Sequence, residues 1–447
     1  MMVLAYCLLL FVLGFWVYRS YTQYLFHYFL VWICFFPLVF NFFYTIETDE
    51  YYKILTWAIY LSYAIAILDI LRYGIKDKWI QRVLLIVVSL VAYYSALSFF
   101  RGTDLIASVK YITGNLGFLV SLSIIGNKEC EIISLLKLIR FIVFFEILLA
   151  FFQPYTDFLN FHAALNGDDV MTAMVNGTFI RNNVFIEFLT PLVMILVYFD
   201  YKQTQKILPH TVIIVLLLLY ETYNSGVRTA LVAVIPIIVY VFYCLLGYRI
   251  KTKKGRILAM IFFGFCIITV YSFVQSLAEE TGITYTDNAT DSSERQAVLL
   301  SILNDADFAE DQTTLGLSFV VLSSFSENPL LGPGKLFQGN GYGDYINMNE
   351  GNVTDATLAI FLCETGVVGF LLLLFIYYVI LNKIGLSHPF PKLVFIYLFI
   401  VTIADPGIFF LGNILLLFIS ITLVNANLEV EEDTGEYAYS EDSKIVE

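Results

Sequence analysis

Residues 216–236 read LLLLYETYNSGVRTALVAVIP, two apolar runs that are separated by a short polar turn containing Arg228. Similar runs recur along the chain, which is 59% hydrophobic and only 14% charged, with a mean hydropathy of +0.78. Soluble domains carry about a quarter charged residues, and about 20 consecutive apolar residues suffice for a helix to cross a bilayer. Because strand-like alternation is not a feature of these runs, the sequence predicts an integral membrane protein built from helices.

The predicted fold class is all-α, a polytopic transmembrane bundle over residues 1–424 with about 12–13 spans. The last two spans belong to one apolar stretch that residues 404–407 (ADPG) interrupt, since proline and a carboxylate break a helix there. The count is therefore twelve or thirteen. The predicted spans are 2–18, 25–44, 51–71, 79–100, 105–126, 132–153, 184–200, 208–223, 229–248, 257–277, 354–380, 392–404 and 407–424.

The distribution of basic residues predicts the orientation. The densest basic cluster, RIKTKKGR at 249–256, is placed in the cytoplasm, because basic loops resist translocation. Alternating spans outward from this cluster puts 18 of the 25 Lys and Arg residues at inner ends. The N-terminus then lies outside, as do a loop at 154–183 and a large loop at 278–353.

Two segments are strongly acidic. The large extracytoplasmic loop, 278–353, has 12 acidic against 2 basic residues, and the tail, 425–447, has 8 against 1. The tail has few apolar residues, and we expect a disordered cytoplasmic extension. The loop is rich in glycine and contains short apolar stretches, which are typical of amphipathic helices lying on a membrane face. Any outward-facing site has to be formed by this loop and by 154–183.

Charged residues inside apolar runs are the first candidates for chemistry, because a charge at membrane depth costs about 3 kcal/mol on insertion scales. Arg228 follows a turn that contains a glycine, where a guanidinium can bind phosphate through paired hydrogen bonds; the alternative is a side chain that reaches the interface. Four carboxylates in or near spans either line an ion path or make ordinary interhelical polar contacts. They are Asp69, Glu146, Glu187 and Glu221.

Signals for a metal site are weak. The four histidines show no metal-ligand spacing, and the six cysteines lie in apolar spans or at a span end. Asp305 and Asp307 spell a DxD pair, which a loop of this acidity contains by composition alone. We therefore expect no metal and no cofactor, and the net charge of −13 argues against a nucleic-acid partner.

Four segments follow one another along the chain: NGTFIRNNVFIEF (176–188), NSGVRTALVAVIP (224–236), SER followed by AVLLSIL and NPLLGPG (293–334), and VTDATLAIFLCETGVVGFLLLLF (353–375). In this order they resemble the bacterial superfamily of Wzy-type polysaccharide polymerases and O-antigen ligases. The resemblance covers residues 170–425. The family's usual histidine in the last segment is replaced by Asp355, which favours a polymerase over a ligase.

The resemblance implies a GT-C-like fold and a metal-independent glycosyl transfer at the outer face of the bacterial cytoplasmic (inner) membrane. The implied donor is an oligosaccharide on undecaprenyl pyrophosphate, and a chain-length regulator and a flippase of the same pathway are further implied partners, besides membrane lipids. Arg228 and Arg295 become candidate pyrophosphate clamps and Asp355 the candidate base, although Asp355 also fits an ordinary helix N-cap. Candidate substrate-binding residues in the outer loops are Arg181, Asn183, Lys335 and Asn352.

Three other classes are weighed beside the polymerase: a ligase, a carrier, and a membrane scaffold without activity, which predicts no cluster of outer arginines. An O-antigen ligase would transfer the glycan to a lipid acceptor instead of the next repeat unit. A flippase or ion-coupled carrier shares the span count and the intramembrane carboxylates, but it predicts internal repeats with matching broken helices, which the sequence does not show.

Overall fold

The computed structural model describes residues 2–36, 48–76, 78–101, 116–153, 177–179, 182–204, 209–224, 329–331, 357–384, 389–402, 411–425, 428–430 and 437–439. Helices dominate this part of the chain. The α-helices are α1 Met2–Ser20, α2 Leu25–Cys34, α3 Thr48–Tyr73, α4 Lys78–Arg101, α5 Phe118–Ile125, α6 Ile132–Phe152, α7 Asn182–Thr204, α8 Pro209–Asn224, α9 Thr357–Ile384, α10 Pro389–Val401 and α11 Leu411–Asn425.

The helical prediction is confirmed for these residues, and three helices are long and apolar enough to cross a membrane. These three segments are Met2–Ser20, Lys53–Tyr73 and Lys78–Leu97. On α1, one stripe at a spacing of four residues is exposed and wholly apolar: Leu4, Leu8, Val12 and Trp16. The opposite stripe, which includes Cys7 and Leu10, is buried. An exposed apolar stripe of this length is what a helix in contact with lipid requires.

The helices fall into two compact units. In the first unit, α1 packs against α3, α3 against α5, α4 against α9, and α10 against α11. At one end of this unit, Asp69 of α3 accepts a hydrogen bond from the Tyr18 hydroxyl of α1, and its other oxygen lies 2.5 Å from the Lys128 ammonium. The hydrogen bond and the ion pair, which share the buried Asp69 carboxylate, connect the ends of α1 and α3 with the turn that follows α5.

The second unit contains most of α6 together with α7 and α8. Every residue of α7 from Phe185 to Asp200 is buried, so α7 forms the centre of this unit. The helix continues through Pro191, which lacks the amide that an ordinary helical residue would donate. α8 packs against α7 and buries one stripe, which includes Val215 and Leu218.

Two features differ from the regular pattern that the sequence suggests. The predicted span 354–380 is not one continuous helix, because α9 is broken at Gly366. In the tail, Leu428–Val430 (β1) pairs antiparallel with Tyr437–Tyr439 (β2). For the rest of 425–447, the expected disorder stays a prediction. The predicted spans 229–248 and 257–277 and nearly all of the loop 278–353 lie outside the described residues.

Candidate functional site

The break in α9 is made by a glycine in a conformation that other residues rarely adopt. Gly366 has φ 64° and ψ −177°, a region of backbone space that is essentially restricted to glycine. The break divides α9 into an upper half, Thr357–Thr365, and a lower half that begins at Val367. The amides of the first turn of the lower half have no carbonyl partners within their own helix and need other acceptors.

Those acceptors are carbonyl groups from within the predicted large loop, 278–353. The Val367 N–H donates to the carbonyl oxygen of Pro329 at 2.9 Å, and the Val368 N–H donates to that of Leu330 at 3.1 Å. We call the contact between Pro329–Leu331 and Thr365–Val368 the loop–helix junction. It joins NPLLGPG to ETGVVG, two segments on which the family resemblance depends.

Tyr94 of α4 also contacts the loop–helix junction. The Tyr94 hydroxyl donates a hydrogen bond of 2.8 Å to the carbonyl oxygen of Thr365, and both residues are fully buried. Gly369 makes this approach possible, since a Cβ atom there would lie 1.8 Å from the Tyr94 hydroxyl oxygen. The junction is therefore held from two sides, by the loop and by α4.

A second buried assembly forms around the segment NGTF in the second unit. The carboxylate of Glu146 accepts two hydrogen bonds from Thr178, one from the backbone N–H at 2.9 Å and one from the hydroxyl at 2.6 Å. The Gln153 side chain pairs with the backbone of Gly177 in both directions, at 2.8 and 2.9 Å. Gly177 has φ +56°, and a Cβ atom would lie 2.3 Å from a Glu146 oxygen. We call these four residues the Glu146 lock.

The opposite ends of the same helices are joined by a buried carboxylate. Asp200 of α7 is fully buried and lies 2.7 Å from the Arg140 guanidinium of α6. It also accepts a hydrogen bond from the Thr211 hydroxyl of α8, and the His210 imidazole lies 3.9 Å away. A buried carboxylate needs such donors, because an unpaired buried charge is strongly destabilising.

The carboxylates that the sequence singled out divide into two kinds. Asp69 makes the predicted interhelical contact, with Tyr18 of α1, whereas Glu146 bonds Thr178 in the turn before α7 and makes no interhelical contact through these bonds. Glu221 lies on the buried face of α8, and its two oxygens have no hydrogen-bond partner among the described residues. Among those residues there is also no group of three His, Cys, Asp or Glu side chains arranged to hold a metal ion.

Most of the predicted site residues cannot be placed in this arrangement. Asn183 belongs to the first turn of α7, where the backbone alone is described. The others lie outside the described residues, and their roles stay predictions. They are Arg181, Arg228, Arg295, Lys335, Asn352 and Asp355.

Sequence reasoning singled out Glu146 but missed the contacts that form the loop–helix junction and the Glu146 lock. Tyr94 was one tyrosine among 31 and carried no motif. Gly366 and Gly369 did carry a signal, since two glycines three residues apart in an apolar run mark a bend or a close approach. Gln153 and Thr178 gave none, because residues far apart in sequence form their contacts.

Comparison with known proteins adds no family assignment. The chain matches no protein-family model, and no curated protein matches it significantly.

Proposed function

We propose that this protein is a polysaccharide polymerase that joins lipid-linked oligosaccharide repeat units at the outer face of the bacterial cytoplasmic membrane. The acceptor hydroxyl oxygen forms a bond to the anomeric carbon of the donor glycan, and the bond from that carbon to the phosphate oxygen breaks. Asp355 takes the hydroxyl proton. Arg228 and Arg295 stabilise the charge on the released undecaprenyl pyrophosphate.

The loop–helix junction is the observation that carries this proposal. An enzyme of this kind needs its outer loop held against the membrane helices, so that substrate is enclosed between them. Backbone hydrogen bonds from Val367 and Val368 to Pro329 and Leu330 bring an interior part of the loop to the helix that Asp355 precedes. The contact joins two of the segments that occur in the same order in the polymerase superfamily.

The pairing of helix ends supports the proposed topology. The Tyr18, Asp69 and Lys128 contacts join three chain segments that the predicted alternation assigns to the cytoplasmic side. In the second unit, Asp200 connects α6, α7 and α8 at the ends that the alternation also assigns to that side. Within each unit the contacts agree with the predicted alternation of spans as far as α8, and the proposed outer positions of 154–183 and 278–353 rest on the distribution of basic residues.

A carrier is the second candidate, because broken helices are typical of transporter binding sites. In such sites the amides at the start of a half-helix are directed at the substrate. Here the Val367 and Val368 amides already donate to loop carbonyls. These amides at the break therefore bind the loop and not a substrate, which favours the enzyme over the carrier.

Reconstitution with purified substrate tests the proposal. The protein in liposomes is mixed with a lipid-linked repeat unit in the presence of EDTA, and the glycans are separated by size. A ladder that lengthens with time is the expected result. Transfer to an added lipid acceptor without a ladder would indicate a ligase, and the absence of any transfer would overturn the proposal.

A further inference from the structure

We infer that Tyr94 is a positioning residue for the proposed reaction, acting through the loop–helix junction. It contacts no substrate group in this scheme. By holding the Thr365 carbonyl, it fixes the direction in which the upper half of α9 leaves the break. This inference rests on the proposed function, because the upper half leads to Asp355.

The geometry of the break explains why a brace is needed. Gly366 has no Cβ atom, and its backbone has more conformational freedom than that of any other residue type. Left alone, a glycine between two half-helices acts as a hinge. The Tyr94 hydroxyl bonds the residue before the hinge, and the loop carbonyls bond the two residues after it. Both sides of the hinge are thereby fixed.

Because the upper half of α9 is a rigid helix, a small tilt at Gly366 becomes a larger displacement at the far end of that helix. Thr357–Thr365 has nine residues, which is about 13 Å of helix. A tilt of about 10° at Gly366 therefore moves the far end by about 2 Å. Misplacement by about 1 Å lowers a rate by about 100-fold where reacting groups must be aligned. Asp355 precedes Thr357 by two residues in the sequence, so a small tilt is enough to affect its role as base.

Gly369 fits the same arrangement. It lies one turn into the lower half, and a Cβ atom there would meet the Tyr94 hydroxyl oxygen at 1.8 Å and the Thr365 Cβ at 2.5 Å. Alanine at this position would push the hydroxyl away from the carbonyl. The brace therefore requires both a hydroxyl on α4 and a glycine on α9.

The first measurement reads the junction itself, without activity. Leu330 and Val368 have exposed side chains and adjacent backbones, so Leu330→Cys with Val368→Cys in a cysteine-free full-length chain can form a disulfide. We expect Tyr94→Phe to slow formation of this disulfide several-fold. Tyr93→Phe, which removes the same atom from the neighbouring residue, should leave the rate unchanged. Equal rates in all three proteins would overturn the inference.

The second measurement follows elongation in liposomes. A positioning role predicts that Tyr94→Phe lowers the kcat of the folded protein by roughly 10- to 100-fold, with KM nearly unchanged. The melting temperature should fall under either role, because a buried carbonyl loses its hydrogen bond. A purely structural role would leave the kcat of the folded fraction intact, which would overturn the inference. Normal kcat in Tyr94→Phe together with slower disulfide formation would also overturn it.

Gly369→Ala provides an independent variant and a coupling test. Gly369→Ala should lower kcat by about as much as Tyr94→Phe does. The kcat of the double variant should be about as low as that of the slower single variant, because both changes remove the same hydrogen bond. Additive losses would contradict a shared device. If the unaltered protein makes no glycan while disulfide formation still depends on Tyr94, the proposed function fails and the brace at the junction stands.

Discussion

Thr178 and Glu146 are joined by two hydrogen bonds, from the backbone N–H to one carboxylate oxygen at 2.9 Å and from the hydroxyl to the other at 2.6 Å. Glu146 is fully buried, and Thr178 is 1% exposed. The pairing connects the C-terminal part of α6 with the turn before α7, across 32 positions of the sequence. A carboxylate in an apolar helix thus anchors the turn at residues 177–179.

The first prediction concerns the stability that this pairing provides. Glu146→Ala leaves the Thr178 N–H and hydroxyl without an acceptor in a buried place, at a cost of about 1–3 kcal/mol for each group. Glu146→Gln keeps one acceptor oxygen and should cost less. Melting temperatures of the purified protein give the comparison. Glu221→Gln is the control, because no described residue bonds the Glu221 oxygens, and its melting temperature should not fall. An unchanged melting temperature in Glu146→Ala would rule out the structural role.

The second prediction concerns sidedness, on which every proposed role depends. A single cysteine at position 310 should react with an impermeant thiol reagent in intact cells, since 278–353 is proposed to lie outside. A cysteine at position 252, within the basic cluster, should react only after the membrane is made permeable. The reverse pattern would invalidate the orientation and the mechanism together.

The third prediction is a pH dependence at Cys130, in the turn before α6. Burial, together with the nearby Glu131 carboxylate, raises the pKa of this thiol to about 12. The thiolate is the reactive form, and its fraction rises about tenfold per pH unit below the pKa. In a variant that keeps this cysteine alone, the iodoacetamide rate should therefore still rise about tenfold from pH 9 to pH 10. An unfolded sample should level off near the ordinary pKa of about 8.5. A plateau by pH 9 in the folded protein would show that the thiol is not shielded.

Much of the helical architecture follows from the sequence. The predicted spans 51–71 and 79–100 correspond to Thr48–Tyr73 and Lys78–Arg101, because long apolar runs between charged ends determine such helices with little help from tertiary contacts. The break at Gly366 could not be located in this way. The apolar pattern continues through the break, and the conformation of Gly366 depends on carbonyl groups 37 and 36 residues earlier in the chain, at Pro329 and Leu330.

The candidate site was less accessible to sequence reasoning than the fold. Charged residues in apolar surroundings stand out in a sequence, as Glu146 and Asp69 did, but their partners do not. Glu146 meets Thr178, and Asp69 meets Tyr18 and Lys128. Whether a buried carboxylate is structural or functional depends on those partners, which lie in other segments. The proposed roles of Arg228 and Asp355 in the chemistry rest on the family resemblance and on chemical reasoning.

The fourth prediction addresses Arg228. A guanidinium binds pyrophosphate through two parallel hydrogen bonds, and an ammonium keeps the charge but loses that geometry. Arg228→Ala should strongly shorten the polymer at a normal protein level, and Arg228→Lys should restore it only in part. Polymer length in cells is measured by gel electrophoresis, with the amount of protein followed by immunoblotting. Polymer of ordinary length from Arg228→Ala would return this residue to the interfacial interpretation.

The most direct test is the initial rate of repeat-unit elongation in liposomes, with EDTA throughout, for the unaltered protein, Asp355→Asn, Arg228→Ala and the double variant. Asparagine retains the size and the capping ability of aspartate but accepts no proton. If Asp355 is the base and Arg228 the clamp of one step, Asp355→Asn should elongate roughly 10²–10⁴-fold more slowly, and the double variant should be about as slow as the slower single variant. Nearly normal elongation by Asp355→Asn, or loss of activity of the unaltered protein in EDTA, would contradict the account.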